Sequence, residues 1–141
     1  PLPWLGGTEY HARTCWCGQH DCLETWLSGP ALLADYHGRG GQVADTRALV
    51  TQAAKGEPCA RATLTAWFDR LARALAHIIN VLDPHVIVIG GGLSRIEQLY
   101  TAVPCRWSRY AFTDRVVTPL RPALYGDASG VRGAARLWPQ S

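Results

Sequence analysis

Methionine is absent from this sequence of 141 residues, which begins at Pro1, although a soluble chain of its size ordinarily carries about three. The expectation is a fragment or processed product, cut upstream of Pro1. Lysine is nearly absent as well: Lys55 is the single exception among basic residues that are otherwise arginine. No block of five like charges occurs, so the formal net charge of +3 is dispersed and supports neither a nucleic-acid patch nor a polybasic tail. No apolar run approaches the roughly 20 residues that span a bilayer. The longest, Val86 to Ile89, is strand-sized. No basic segment leads into an apolar one at the start, so no signal peptide is read. Internal repeats and low-complexity segments are also missing. What is present is ordinary for a globular protein, with 48% apolar and 18% charged residues, and this excludes intrinsic disorder. The length suits one domain with a real core.

Five cysteines are unevenly spread. Cys15, Cys17 and Cys22 cluster, while Cys59 and Cys105 stand alone. An odd count forbids a complete disulfide framework, and in a reducing compartment three thiols so close together point to a metal.

Periodicity gives the organisation. Leu23, Trp26 and Leu27 begin a helical spacing that Ser28-Gly29-Pro30 interrupts, and a short helix follows from Ala31 to Tyr36. His37 to Gln42 reads as a turn. Asp45 is positioned to cap a helix from Thr46 to Lys55, ended by Gly56. The longest element runs from Pro58 to Leu82, where Leu64, Trp67, Leu71, Leu75, Ile78 and Leu82 mark one buried face. Asp83-Pro84 stops it. Val86 to Ile89 suits a central strand covered on both faces. A helix is expected from Arg95 to Val103, a second strand from Val116 to Leu120, and a closing helix from Ser129 to Leu137. This order is α/β.

Two constellations carry chemistry. Cys15, Cys17 and Cys22 on a tight loop relaxed by Gly18 are able to surround one Zn²⁺, with His11 and His20 as local candidates for the fourth ligand. Buried thiols, or one disulfide with a spare, are the alternative. Glu24, just beyond Cys22, sits where a helix dipole favours an anion, or serves as an acceptor for a polar ligand. Gly90-Gly91-Gly92 follows a strand directly, which permits either close ligand approach, as at a nucleotide phosphate, or a tight structural turn. Asp127 or Ser129 reads as a cap for the last helix. His37, His77 and His85 are scattered and read as surface residues.

Together these residues resemble the C-terminal half of a ROK-family sugar kinase. The family's cysteine signature, C-x-C-G-x-x-G-C-x-E, is matched by Cys15, Cys17, Gly18, Cys22 and Glu24, with Asp21 where glycine is usual. Its L-D-P-x-x-I-V-x-G-G-G-x-S stretch is matched by Leu82-Asp83-Pro84, Ile87-Val88, Gly90-Gly91-Gly92 and Ser94. The ending, from Gly126 to Ala135 and on through Leu137-Trp138-Pro139-Gln140, is similar to the bacterial fructokinase (mannokinase) branch, as is the opening Pro1-Leu2-Pro3-Trp4.

The resemblance implies an α/β fold, the C-terminal domain of an actin-like (ribonuclease H-like) sugar kinase. Residues 1–27 would form the zinc loop and helix start, residues 28–141 the helices and strands, with the N-terminal domain absent. It implies a structural Zn²⁺ on Cys15, Cys17 and Cys22. The fourth ligand would be a histidine of a G-E-x-G-H segment upstream of Pro1, leaving His11 as the fallback. It implies that Glu24 hydrogen-bonds sugar hydroxyls and that Gly90, Gly91 and Gly92 line the nucleotide pocket. The phosphate-binding D-x-G-G-T segment and the catalytic aspartate also lie upstream in family members. No catalytic residue is therefore expected in this chain, and the chain alone is expected to be inactive. The activity implied for the intact protein is phosphorylation of a hexose, fructose first, by ATP with Mg²⁺. A cytoplasmic homodimer without nucleic-acid or membrane partners is expected. The alternatives are a sugar-responsive ROK transcriptional repressor and a zinc-stabilised interaction module.

Overall fold

The computed structural model describes residues 2–4, 9, 12–113 and 115–137. Helix boundaries follow local chemistry. Helix α1 (Leu23–Leu27) ends at Ser28, which also begins α2 (Gly29–Gly38), its hydroxyl accepting from the Ala31 N–H at 3.3 Å. The interruption read in the sequence is thus a one-residue corner. Helix α3 (Thr46–Ala54) is capped by Asp45, whose carboxylate accepts from the Ala48 N–H at 2.8 Å. Helix α4 (Pro58–Leu82) is capped by Glu57, which accepts from the N–H groups of Cys59 and Ala60 at 2.9 and 2.6 Å. It stops at Asp83, left-handed at φ 42, where a short polar side chain is tolerated and Pro84 bars continuation.

Helix α4 is the spine of the core. Leu64, Trp67, Leu71 and Leu75 are buried on it, against Leu32, Tyr36, Leu49, Leu99, Val103 and Trp107. The indole of Trp67 donates to the Leu27 carbonyl at 3.1 Å, fixing α4 to the end of α1. Gly41 is held against the flat of Tyr36 so closely that a β-carbon would lie 2.2 Å from the ring. The expected buried face fails at its end. Ile78 is exposed and Leu82 is 70% exposed, while Ile79, a full turn after Leu75, takes the inward position. The last turn of α4 simply runs past its packing neighbours among the described residues.

Strand β1 (Ile87–Ile89) pairs in parallel with β2 (Leu120–Pro122), in the register Ile87↔Leu120, Val88↔Arg121 and Ile89↔Pro122. Among the described residues the strand is not covered on both faces. Ile87 and Ile89 pack on the core, but Val88 points away and is 56% exposed. Four apolar residues in a row hide the alternation, so the sequence cannot show which face is buried. The second strand also begins later than Val116. The Pro119 carbonyl accepts from the Ile87 N–H at 3.0 Å and the Thr118 hydroxyl donates to the Pro84 carbonyl at 3.0 Å, so pairing with β1 sets the start.

The expected helix from Arg95 to Val103 is broken into pieces. A 3₁₀ turn covers Gly92–Arg95, α5 covers only Leu99–Ala102, and a second 3₁₀ segment covers Pro104–Arg109. Ile96 is extended, at φ −78 and ψ 94, because its side chain is drawn into the core. Helix α6 (Ser129–Ala135) follows a 3₁₀ turn and ends earlier than Leu137. Neither Asp127 nor Ser129 caps it: Ala128 occupies the N-cap and the Asp127 carboxylate is engaged by Arg95. No helix among the described residues is long and apolar enough to cross a membrane.

Candidate metal loop and ligand cleft

The loop before α1 is closed by its own backbone. Thr14 and His20 form an antiparallel bridge, the Cys15 N–H donates to the Gln19 carbonyl at 2.8 Å, and Gly18 turns the chain at φ 82. This folds the sulfurs of Cys15, Cys17 and Cys22 to within 4.8 Å of one another, with 3.5 Å between Cys17 and Cys22. All are free thiols, so the disulfide alternative is not realised. Three thiolates at Zn–S bonds of about 2.3 Å lie about 3.8 Å apart at the corners of a tetrahedron, so the set fits zinc. The thiols also compete for charge. The Gln19 N–H and the neighbouring sulfurs hold Cys17 below the ordinary thiol value, while its hydrogen bonding with Cys17 and Cys15 pushes Cys22 up to about 11. Full ionisation of the trio therefore calls for a cation. Among the described residues the cluster consists of the three sulfurs without a histidine, and His11 lies outside the described residues.

Asp21 explains how the loop tolerates a residue other than glycine. It is buried at φ 53, and its Oδ1 accepts from the Arg13 N–H at 2.9 Å and from the Trp26 indole at 3.3 Å. Behind it lies a charge cluster that the sequence did not announce. The guanidinium of Arg13 stacks on one side of Trp26 at 3.8 Å, and that of Arg70 lies 4.6 Å from the same ring. Both arginines pair with Asp35, and Arg70 also holds Glu9 at 2.7 Å. Arg73 continues the chain from Glu9 to Asp69, which in turn accepts from the Tyr110 hydroxyl at 2.8 Å. Burial, then hydrogen bonding to Asp69, raises the Tyr110 pKa above its ordinary value. The one available signal was Asp69, Arg70 and Arg73 on a helix otherwise apolar on that side.

Glu24 lies in the first turn of α1 and is exposed, its Oε2 accepting from the Trp16 indole at 3.2 Å. It does not line the cleft described next, but α1 leads directly into Gly29, which does.

That cleft, of about 520 Å³, opens where β1 ends. Gly92 and Leu93 form one wall, Gly29, Thr46 and Val50 another, and Asp45, Arg47, Arg95 and Asp127 supply charge. Gly91 turns the backbone at φ 76, and a β-carbon on Gly90, Gly91 or Gly92 would meet nothing within 4 Å. Packing therefore does not demand the three glycines. They leave bare backbone facing open space, as close approach by a ligand requires. Gly92 lines the cleft, whereas Gly90 and Gly91 are not among its lining residues. Arg95 and Asp127 pair across it at 2.8 Å, and that guanidinium holds the Asp127 carboxyl below the usual range. Two arginines and two aspartates balance the cleft's charge, so the exposed backbone at Gly92 and the Arg47 side chain are what it offers an anionic ligand.

The chain matches the model of the ROK family over residues 6–141. It is 36% identical over 134 residues to an N-acetyl-D-glucosamine kinase of Pasteurella multocida, covering 95% of this chain and 44% of that one. It is 37% identical over 123 residues to an N-acetylgalactosamine kinase of a Shewanella species, covering 87% and 40%. The solved ROK hexokinase of Thermus thermophilus superposes with a TM-score of 0.72 at 32% identity, covering 87% of this chain and 42% of that one. The chain thus spans less than half the length of these relatives. With the loop, the cleft and the parallel strand pair in place, it belongs to the ROK family and carries part of that family's actin-like sugar kinase fold.

Proposed function

We propose that the protein to which this chain belongs transfers the γ-phosphoryl group of ATP to a hydroxyl of a hexose or an N-acetylated hexosamine. The observation that carries this reading is the cleft at the end of β1, where Gly92 leaves backbone open beside Arg47 and Arg95 in a chain of ROK type. Gly90, Gly91 and Gly92 contribute the nucleotide side of the site. Glu24 accepts from sugar hydroxyls, and an ionised carboxylate makes the stronger kind of hydrogen bond for that task. Mg²⁺ bound with ATP neutralises the phosphate charge that builds up during transfer. Cys15, Cys17 and Cys22 would hold a structural Zn²⁺, which stabilises the loop leading into Glu24. The chain spans less than half the length of its kinase relatives, and in this reading the base that takes the hydroxyl proton is not among residues 1–141. A cytoplasmic homodimer is part of the same reading.

The ending of the chain points to fructose, whereas the relatives are named for N-acetylglucosamine and N-acetylgalactosamine. Phosphorylation of fructose, mannose, glucose and both N-acetylhexosamines by the full-length protein, followed by coupled ADP release, separates these substrates. Turnover with at least one sugar, lost in Glu24→Ala and absent from the 141-residue chain alone, is expected. No sugar-dependent turnover by the full-length protein would sink the kinase reading.

A further inference from the structure

Trp16 stands between two of the three clustered thiols and yet is 87% exposed. A space-filling indole would lay its ring on the core. Among the described residues this one instead donates its N–H to Glu24 Oε2 at 3.2 Å. The turn that carries it is closed by its own backbone, the Cys15 N–H donating to the Gln19 carbonyl at 2.8 Å and the Cys15 carbonyl accepting from the Gly18 N–H at 3.0 Å. Trp16 therefore stands on a rigid loop and reaches a flexible carboxylate. Among the described residues Glu24 Oε1 accepts no hydrogen bond.

We propose that Trp16 is a positioning residue for the sugar-binding carboxylate: its indole N–H holds Glu24 by one oxygen and leaves the other to accept from a substrate hydroxyl. An exposed glutamate samples several rotamers, and ordering it on binding costs affinity. Anchoring Oε2 in advance removes part of that cost. The metal loop thereby acts on the sugar through Trp16, not only by folding the chain around it. The inference rests on the reading of Glu24 as a sugar ligand.

The test uses the full-length protein and Trp16→Phe, which keeps an apolar ring and lacks the N–H. Sugar KM is expected to rise about five-fold, the scale of one exposed hydrogen bond. Calorimetric sugar affinity without ATP should weaken equally, while kcat, the KM for ATP and the zinc content stay within about two-fold. In a Glu24→Ala background the same substitution should change calorimetric sugar affinity by less than about two-fold, because coupled residues do not add. An unchanged sugar KM in Trp16→Phe overturns the proposal, as does an equal effect in both backgrounds or a parallel loss of zinc. If Glu24→Ala leaves sugar affinity intact, the sugar-ligand reading of Glu24 fails first and takes this inference with it.

Discussion

Asp21 occupies a left-handed backbone position, φ 53, where a β-carbon ordinarily costs about 1–2 kcal/mol. Its carboxylate offsets that cost by bonding the Arg13 N–H and the Trp26 indole. Two substitutions separate these contributions. Asp21→Gly relieves the backbone and loses the bonds, whereas Asp21→Ala loses the bonds and keeps the strain. Urea unfolding should therefore find Asp21→Ala less stable than Asp21→Gly by about 1 kcal/mol. Equal losses would mean that the backbone strain is negligible. The cysteines were legible because metal spacing is local, and all three lie within one loop. The partners of Trp26 were not, since Arg13 and Arg70 reach it from 13 residues before and 44 after.

At the scale of elements, α4 combines legible ends with a misread face in its last turn. Glu57 caps it through bonds from the Cys59 and Ala60 N–H groups, with Cys59 the larger cause that holds its carboxyl below the ordinary 4.5. A depressed folded-state pKa contributes stability that is complete above the unfolded value and lost as pH falls through the folded one. Glu57→Gln should thus be less stable than the parent at pH 7. The difference should close as pH falls through the folded pKa of Glu57, measured by urea midpoints across the range. A constant difference would rule out an ionised cap. Along the helix, Leu64→Ala removes a buried side chain and should cost about 2–5 kcal/mol. Leu82→Ala, on an exposed residue of the isolated chain, should cost less than about 0.5 kcal/mol. A large loss at Leu82 in the isolated chain would contradict its exposure.

For the whole molecule, the described residues form a core around α4 and a strand pair that they cover on one side. Val88, Val117 and Leu82 leave apolar surface open in a chain that spans less than half of its relatives. The thiol cluster ties the leading segment to this core through Asp21, Trp26 and the arginine pairs. Removing the proposed Zn²⁺ should therefore loosen more than one loop. The full-length protein should carry about one zinc per chain. Cys17→Ser should lose most of it and unfold several degrees lower, read by elemental analysis and thermal scans. Full zinc retention in that variant would exclude Cys17 as a ligand.

Local chemistry, written in adjacent residues, decided much of this protein. Caps, proline stops and glycine turns act within a few residues, so α3, α4 and the cysteine loop were readable from the sequence. So was the motif series that identifies the family. Only the tertiary structure decided which face of β1 is buried, where β2 begins and why Asp127 pairs with Arg95 instead of capping α6. It also decided that Glu24 is held by Trp16. Each of these depends on groups brought together by packing, and an interaction between distant segments leaves no period or spacing in the sequence that encodes it.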